Sequence, residues 1–208
     1  MKLQISFDTH DLSYALDIAQ QVYPHADILE LGTSLIYAHG TKAVEEFRAA
    51  FNRSILLVDA KIVDRAKDSV TLFAEAGADW ITVMAGTSRH VIHAACTTAH
   101  ALNKKIMLDL VDASSPIQSA LEAKNLGADA LLFHQSSDER DLTTLLDQWD
   151  LIKGNASVPL FISAKIQRPT IDQIIALDPA GIVIGSSIVE ANQPAEEAAF
   201  YYSLCNKK

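Results

Sequence analysis

Short apolar segments along the chain alternate with longer segments whose apolar residues recur at helical spacing. The short segments predict eight strands, at Leu3–Phe7, Ile28–Leu31, Ile55–Asp59, Trp80–Val83, Ile106–Leu110, Ala130–His134, Leu160–Ser163 and Gly181–Ile184. The helical pattern is clearest over Asp11–Tyr23, Gly40–Ala50, Ala66–Ala76, His90–Leu102 and Thr170–Ala176. Ser115-Pro116 suits the start of a further helix.

A weak internal repeat supports this alternation. The triplets His25-Ala26-Asp27, Gly77-Ala78-Asp79 and Gly127-Ala128-Asp129 each precede a predicted strand, about 50 residues apart. The glycine is expected to end a helix in a left-handed conformation, and the acidic residue to turn the chain into the strand. Strands alternating with helices predict a single (β/α)8 TIM barrel over residues 1–208. A doubly wound open sheet is the alternative, but its usual glycine-rich first turn is absent from Phe7-Asp8-Thr9-His10.

Composition narrows the classes of protein to consider. The chain has 208 residues, of which 49% are hydrophobic and 21% charged, enough for one well-buried domain. Its net charge of −9 and lack of basic clusters argue against a nucleic-acid surface. No apolar run approaches the roughly 18 residues that span a membrane. Cys96 and Cys205 lie far apart, and we expect both to be reduced in a cytoplasmic protein, with a disulfide as the minor alternative.

Ionisable residues follow most of the first six predicted strands. They are Asp8, Glu30, Asp59 with Lys61, Asp109 and His134. One acidic residue at a strand end is more often a helix cap or a solvated loop residue. In a barrel, however, the carboxyl ends of all strands meet at one rim, where active sites lie. Convergence of the whole set therefore predicts a site.

The segment Val58-Asp59-Ala60-Lys61-Ile62-Val63-Asp64 contains a D-x-K-x-x-D pattern. Asp59 and Lys61 point the same way if the strand continues, and Asp64 lies beyond it. A lysine between two carboxylates stays protonated, which suits it to stabilise an oxyanion or donate a proton, and not to form a Schiff base. A purely structural salt bridge at the strand end is the alternative.

Glu30 and Asp59 come from neighbouring strands, which lie about 4.8 Å apart. Two carboxylates that close repel each other unless a proton or a cation lies between them. Hard oxygen ligands with room for water and substrate suit Mg²⁺. His134 is the histidine that ends an apolar strand, and it is a candidate acid/base, although a lone histidine is more often structural.

The chain resembles the family of 3-hexulose-6-phosphate synthases and 3-keto-L-gulonate-6-phosphate decarboxylases, small barrels of the orotidine-monophosphate-decarboxylase superfamily. The resemblance rests on the segments MKLQISFD, DILELGTSLI, VDAKIVD, EAGADWITV, MLDL and FHQSSD. It implies a Mg²⁺-dependent homodimer that acts on a sugar phosphate through a 1,2-enediolate. Glu30 and Asp59 would then hold the metal, Lys61 would stabilise the enediolate and His134 would carry the proton. Asp8 would belong to the catalytic set, Asp64 would reach the partner's site, and Asp109 would bind substrate.

One loop separates the branches of this family, and two further loops depart from the pattern of the whole family. After the sixth strand the chain reads HQSSD, with Ser137 where the decarboxylase has an arginine. This favours the synthase, which joins formaldehyde to ribulose 5-phosphate, with the decarboxylase as the alternative. The glycine pairs that bind phosphate in the family are replaced by Ala164-Lys165 and Gly185-Ser186-Ser187. We expect Lys165, Gly185, Ser186 and Ser187 to bind the phosphate instead. The alternative is that the protein is a weakly active barrel that binds a ligand or a partner.

Overall fold

A computed structural model describes residues 1–135 and 142–206. Within these residues, eight parallel strands pair in chain order, and β1 also pairs with β8 to close a barrel. The strands are β1 Lys2–Phe7, β2 Ile28–Leu31, β3 Ile55–Ile62, β4 Trp80–Met84, β5 Lys105–Asp109, β6 Ala130–His134, β7 Leu160–Ser163 and β8 Gly181–Ile184. The predicted (β/α)8 barrel is confirmed, and the open-sheet alternative is wrong.

Helices connect the strands on the outside of the barrel. They are α1 Leu12–Val22, α2 Thr33–His39, α3 Thr41–Ala50, α4 Ala66–Ala76, α5 Arg89–Ala101, α6 Pro116–Leu126, α7 Leu142–Asn155, α8 Ile171–Ala176, α9 Ser186–Val189 and α10 Pro194–Cys205. The five helices predicted over full ranges agree within one residue at each end. Helix α2 was not predicted, because it has only 7 residues and is separated from α3 by Gly40, whose φ is +57°.

The core has two parts. A large apolar cluster fills the space between the sheet and the helices, and a smaller one lies inside the barrel. The inner cluster contains Ile28, Leu57, Met107, Ala130, Leu132, Phe161 and Val183. Ile28, Leu57 and Leu132 each lie two residues before a polar residue of the predicted site, so the same face of each strand changes from apolar to polar. The inner cluster therefore forms an apolar floor beneath that site.

The repeated acidic residues tie neighbouring strands together at the N-terminal end of the barrel. In each case the carboxylate accepts the backbone N–H at the start of the preceding strand. The contacts run from Leu3 to Asp27 (2.9 Å), from Leu56 to Asp79 (2.9 Å) and from Ile106 to Asp129 (2.8 Å). The predicted left-handed glycines are confirmed, since φ is +114° at Gly77 and +96° at Gly127. The repeat is thus a structural device.

Two expectations from composition can be compared with the structure. Cys96 and Cys205 are both buried free thiols, so the disulfide alternative is wrong. Across residues 1–135 and 142–206, no helix is long and apolar enough to cross a bilayer.

Candidate active site

A cavity of about 490 Å³ opens at the carboxyl ends of the strands. All but two of the predicted site residues line it, namely Asp8, Glu30, Asp59, Lys61, His134, Lys165, Gly185, Ser186 and Ser187. Asp8 follows β1, Glu30 and Asp59 lie in β2 and β3, and Lys165 and the serines follow β7 and β8. The cavity therefore has an acidic side and a side rich in donors.

Glu30 lies on the acidic side and is almost completely buried. Gln4, which is fully buried, donates from Nε2 to Oε2 of Glu30 at 2.6 Å. Burial, together with the negative charges of Asp59 and Asp8, raises the pKa of Glu30 to about 8. This part of the site therefore carries more negative charge than its surroundings compensate, and a proton or a cation stabilises it.

Asp59 is held by three side chains. The hydroxyl of Thr33 donates to Oδ2 at 2.6 Å, and the hydroxyl of Thr82 donates to Oδ1 at 2.8 Å. The ammonium of Lys61 lies 3.1 Å from Oδ2. These bonds fix the orientation of the carboxylate at the bottom of the cavity.

Lys61 lies between two carboxylates, as predicted, but the second one is Asp109. Its Nζ is 3.1 Å from Asp59 and 3.0 Å from Asp109. Burial alone would lower the pKa of Lys61, but these two carboxylates raise it above its ordinary value, so the ammonium stays charged. The expectation that Asp64 flanks Lys61 is wrong, because β3 continues past Lys61 with a φ of +47° at that residue and carries the chain away.

Asp109 lies beneath the cavity and is fully buried. Its Oδ2 accepts from Nδ1 of His134 at 2.8 Å and from Lys61 at 3.0 Å, and its Oδ1 accepts from the N–H of Val111 at 2.9 Å. Burial alone would raise the pKa of Asp109, but the bond and charge of His134 and the charge of Lys61 lower it. The expected contact of Asp109 with substrate does not fit this position, since its oxygens already serve other groups.

His134 ends β6 and faces the cavity with one fifth of its side chain exposed. Because Asp109 is an ionised acceptor, Nδ1 of His134 is the nitrogen that donates to it, and Nε2 remains as the proton acceptor. The carboxylate thus selects one tautomer of the ring. His134 and Lys61 are joined through the same oxygen of Asp109.

Asp64 lies in the exposed turn between β3 and α4, outside the cavity. It lines a separate shallow groove with Arg65, Lys67 and His90. A single chain therefore does not bring Asp64 to its own cavity. Its reach into a partner's site stays a prediction.

Asp8 stands at the mouth of the cavity. The Ser6 hydroxyl donates to its Oδ2 at 2.8 Å. Its carboxylate lies so close to Gly32 that a Cβ at that position would overlap it. Glycine at position 32 is therefore what leaves room for Asp8.

The donor side of the cavity is built by the loops after β7 and β8. Ile166 is buried, and the Ser187 hydroxyl donates to its carbonyl oxygen at 2.7 Å, which ties the two loops together. The expected role of that hydroxyl as a phosphate donor therefore does not fit, since its hydrogen is already used. Gly185 precedes α9, and N–H groups in the first turn of a helix lack intrahelical acceptors. Among the described residues, no carboxylate forms an ion pair with Lys165.

Sequence reasoning missed several residues that support the site, chiefly Gln4, Ser6, Thr33 and Thr82. The sequence contained a signal for Gln4, Ser6 and Thr82. Gln4 and Ser6 alternate along β1 in step with Asp8, which follows the strand, and Thr82 is a polar residue within apolar β4. Polar residues on the inner face of an otherwise buried strand indicate a polar cavity. The comparison based on Ser137 lies outside the described residues and stays a prediction.

Comparison with known proteins identifies the family. Residues 1–201 match the model of the orotidine 5'-phosphate decarboxylase / HUMPS family. The chain belongs to this family. It is similar to the 3-hexulose-6-phosphate synthase of Staphylococcus epidermidis, with 30% identity over 202 residues and 95% of each chain covered. The synthase of Bacillus subtilis is 28% identical over 201 residues, with 96% of each chain covered.

Solved structures agree. A crystal structure of 3-hexulose-6-phosphate synthase matches with a TM-score of 0.90 and 30% identity, over 98% of this chain and 99% of the other. The 3-keto-L-gulonate-6-phosphate decarboxylase of Vibrio cholerae matches with a TM-score of 0.84 and 28% identity, over 95% of this chain and 94% of the other. Both kinds of relative are lyases, and this member of the family is a lyase.

Proposed function

We propose that the chain is a Mg²⁺-dependent 3-hexulose-6-phosphate synthase, which joins formaldehyde to ribulose 5-phosphate. The observation that carries this proposal is the Asp109 carboxylate, which bonds both Lys61 and His134. A permanent cation and a base of fixed tautomer thereby share one cavity with the acidic pair of Glu30 and Asp59. Formation of an enediolate needs a base that removes a proton from carbon and a positive charge that stabilises the developing oxyanion, and this combination supplies both.

The residues of the acidic side fit Mg²⁺. In the part of the chain that the structure describes, no three or more His, Cys, Asp or Glu side chains form a complete metal cage. Mg²⁺ commonly binds through one or two carboxylates and leaves its other positions to water and substrate oxygens. Glu30 and Asp59 would hold the ion, and a cation there would offset the burial and the like charges that raise the pKa of Glu30. The ion would supply positive charge to oxygens of the bound sugar.

His134 is proposed to move the proton. Its Nε2 would accept a proton from C1 of ribulose 5-phosphate while Nδ1 keeps its bond to Asp109. The negative charge that develops on the oxygen of the enediolate would be met by Lys61. Two N–H groups of that ammonium point at Asp59 and Asp109, so a third is available for the substrate.

Carbon–carbon bond formation follows from the same arrangement. The enediolate C1 attacks the carbonyl carbon of formaldehyde, and the electron pair of that carbonyl moves to its oxygen. This oxygen then takes a proton, which protonated His134 can return. The proton removed from C1 thus ends on the new hydroxyl group, and no external acid is consumed.

The far side of the cavity is proposed to bind the phosphate. Lys165 supplies a positive charge, and Ser186 and Ser187, the first residues of α9, supply backbone N–H groups.

Asp64, exposed outside its own cavity, is proposed to complete the site of a second subunit in a homodimer.

The test is a coupled assay with ribulose 5-phosphate and formaldehyde, in EDTA and after Mg²⁺ is restored, with 3-keto-L-gulonate 6-phosphate in parallel. We expect hexulose phosphate to form only with Mg²⁺. Release of CO2 from the keto acid without aldol product would assign the decarboxylase reaction instead. Binding of either sugar phosphate without turnover would support the weakly active barrel. Sedimentation of the pure protein tests the dimer.

A further inference from the structure

The end of β3 departs from regular pairing with β4. The two strands are in register at Val58 with Ile81 and again at Ile62 with Val83. Between these pairs, the three residues Asp59, Ala60 and Lys61 face the single residue Thr82. The irregularity therefore inserts two additional residues into β3, at the point where the strand delivers both charged side chains to the cavity.

Thr82 is the residue that bonds both sides of this bulge. It is fully buried, and its hydroxyl oxygen accepts the backbone N–H of Lys61 at 2.9 Å. The same hydroxyl donates its hydrogen to Oδ1 of Asp59 at 2.8 Å. One side chain thus replaces the regular backbone partner of Lys61 and orients the carboxylate of Asp59.

The conformation of Lys61 explains why such a bond is needed. Its φ of +47° lies in the left-handed region, which a residue with a long side chain adopts only when its surroundings hold it there. The bonds of Nζ to Asp59 and Asp109 fix the tip of the side chain, but they do not act on the backbone. The bond to Thr82 acts on the backbone itself.

We infer that Thr82 is a positioning residue of the reaction: its hydroxyl holds the bulge that places Lys61 and Asp59 in the cavity. The expected effect of Thr82 on turnover rests on the proposed function. The bond between the Lys61 N–H and the Thr82 hydroxyl does not, because it can be measured in the protein without substrate. No contact of Thr82 with substrate is required, since Thr82 is buried behind the two residues that it orients.

The test compares Thr82→Val with Thr82→Ser. Valine keeps the shape and removes the hydroxyl, whereas serine keeps the hydroxyl and removes a methyl group. We expect kcat of Thr82→Val to fall about 100-fold, a loss that a misplacement of catalytic groups by about 1 Å can cause. Thr82→Ser should stay within about threefold of the native protein. Hydrogen exchange at the Lys61 amide, followed by NMR without substrate, should become faster in Thr82→Val and remain slow in Thr82→Ser.

The outcomes separate this inference from the proposed function. Native turnover in Thr82→Val, or equal losses in both variants, would overturn the inference, since the hydroxyl would then not matter. Absence of aldol turnover in the native protein would overturn the proposed function, and the exchange of the Lys61 amide would still decide whether Thr82 holds the bulge. If Thr82→Val does not fold, Thr82→Cys replaces it, because a thiol of similar size forms much weaker hydrogen bonds than serine.

Discussion

At the N-terminal end of the barrel, three aspartates accept backbone N–H groups of neighbouring strands, whereas at the C-terminal end the carboxylates lie together on one side of a cavity. Asp27, Asp79 and Asp129 each have a basic side chain within ion-pair distance as well. Glu30 instead lies buried beside Asp59 and Asp8, and its pKa is raised to about 8. Carboxylates are thus stabilised by hydrogen bonds and basic side chains at the N-terminal end, whereas the ionised form of Glu30 is destabilised at the C-terminal end.

This difference separates structural from functional carboxylates without reference to any relative. A carboxylate whose bonds are satisfied by backbone N–H groups contributes to stability, and its removal leaves those groups without a partner. A buried carboxylate that faces like charges opposes folding, so its presence needs another reason. Removing carboxylates from each end in turn tests the distinction.

The largest expected effect is the loss of turnover when the acidic pair is broken. Glu30→Ala or Asp59→Ala should lower kcat/KM by about 10³-fold or more, because a bound metal stabilises transition-state charge by several kcal/mol. Glu30→Gln, which keeps an acceptor for buried Gln4, should leave the free energy of unfolding at neutral pH unchanged or higher, since it removes the cost of burying a carboxyl group beside like charges. The steady-state assay with Mg²⁺ and urea unfolding measure the two quantities.

Asp129→Ala is the matched variant at the other end. It removes the acceptor of the Ile106 N–H and should lower the free energy of unfolding by about 1–3 kcal/mol. Its kcat/KM should stay native at temperatures where the variant is folded. Full activity of Glu30→Ala in excess EDTA would contradict the assignment of the rim.

The next effect concerns His134, the base at the rim. His134→Ala should lower kcat by ~10²–10⁴-fold, the usual contribution of a positioned acid/base. Exchange of the C1 proton of ribulose 5-phosphate with solvent deuterium should fall in parallel. The exposed His100, which bonds Asp129 at the N-terminal end, is the matched control, and His100→Ala should change neither quantity. Native exchange in His134→Ala would place the base elsewhere.

The periodic pattern of apolar residues predicted the fold and most of the rim, since the strands are short and buried and most of the first six carry an ionisable residue at or next to the carboxyl end. The partner of Lys61 could not be predicted in this way. It depends on the bulge in β3 and on a φ of +47°, which turn Lys61 towards Asp109 and carry Asp64 to the surface. The spacing of residues along the chain does not indicate such a change of register between β3 and β4.

The position of Asp109 was missed for a related reason. Its place at the end of a strand indicated a residue exposed in the cavity, but Lys61 from β3 and His134 from the adjacent β6 bond its carboxylate and cover it. Burial of this kind arises from side chains that are distant in sequence. The alternation of Gln4, Ser6 and Asp8 is the opposite case, a pattern visible in the sequence that would have indicated the polar interior.

A smaller effect distinguishes the two ends by pH. Folding raises the pKa of Glu30 from an ordinary value of 4.5 to about 8, so the folded state keeps a proton that the unfolded state has lost. The contribution of Glu30 to the free energy of unfolding is therefore fully present below about pH 4.5. It falls as pH rises towards 8, with a slope of up to about 1.4 kcal/mol per pH unit. In metal-free buffer, Glu30→Gln should lose this decline, whereas Asp129→Ala should keep it. Parallel stability curves for Glu30→Gln and the native protein would contradict the raised pKa.

The smallest effect concerns the cations, which repeat the contrast between the two ends. At the N-terminal end Lys104 lies 3.6 Å from Asp79, whereas at the rim Lys165 has no carboxylate partner among the described residues. Lys165→Ala should raise KM for ribulose 5-phosphate about tenfold or more and change kcat little, because a bond to a charged group contributes roughly 1.5–3 kcal/mol of uniform binding. Salt should weaken binding to the native protein more than to the variant, since screening reduces the charge term. The control, Lys104→Ala, should leave KM and its salt dependence at native values. An equal KM for Lys165→Ala and the native protein would mean that the backbone N–H groups of α9 bind the phosphate without Lys165.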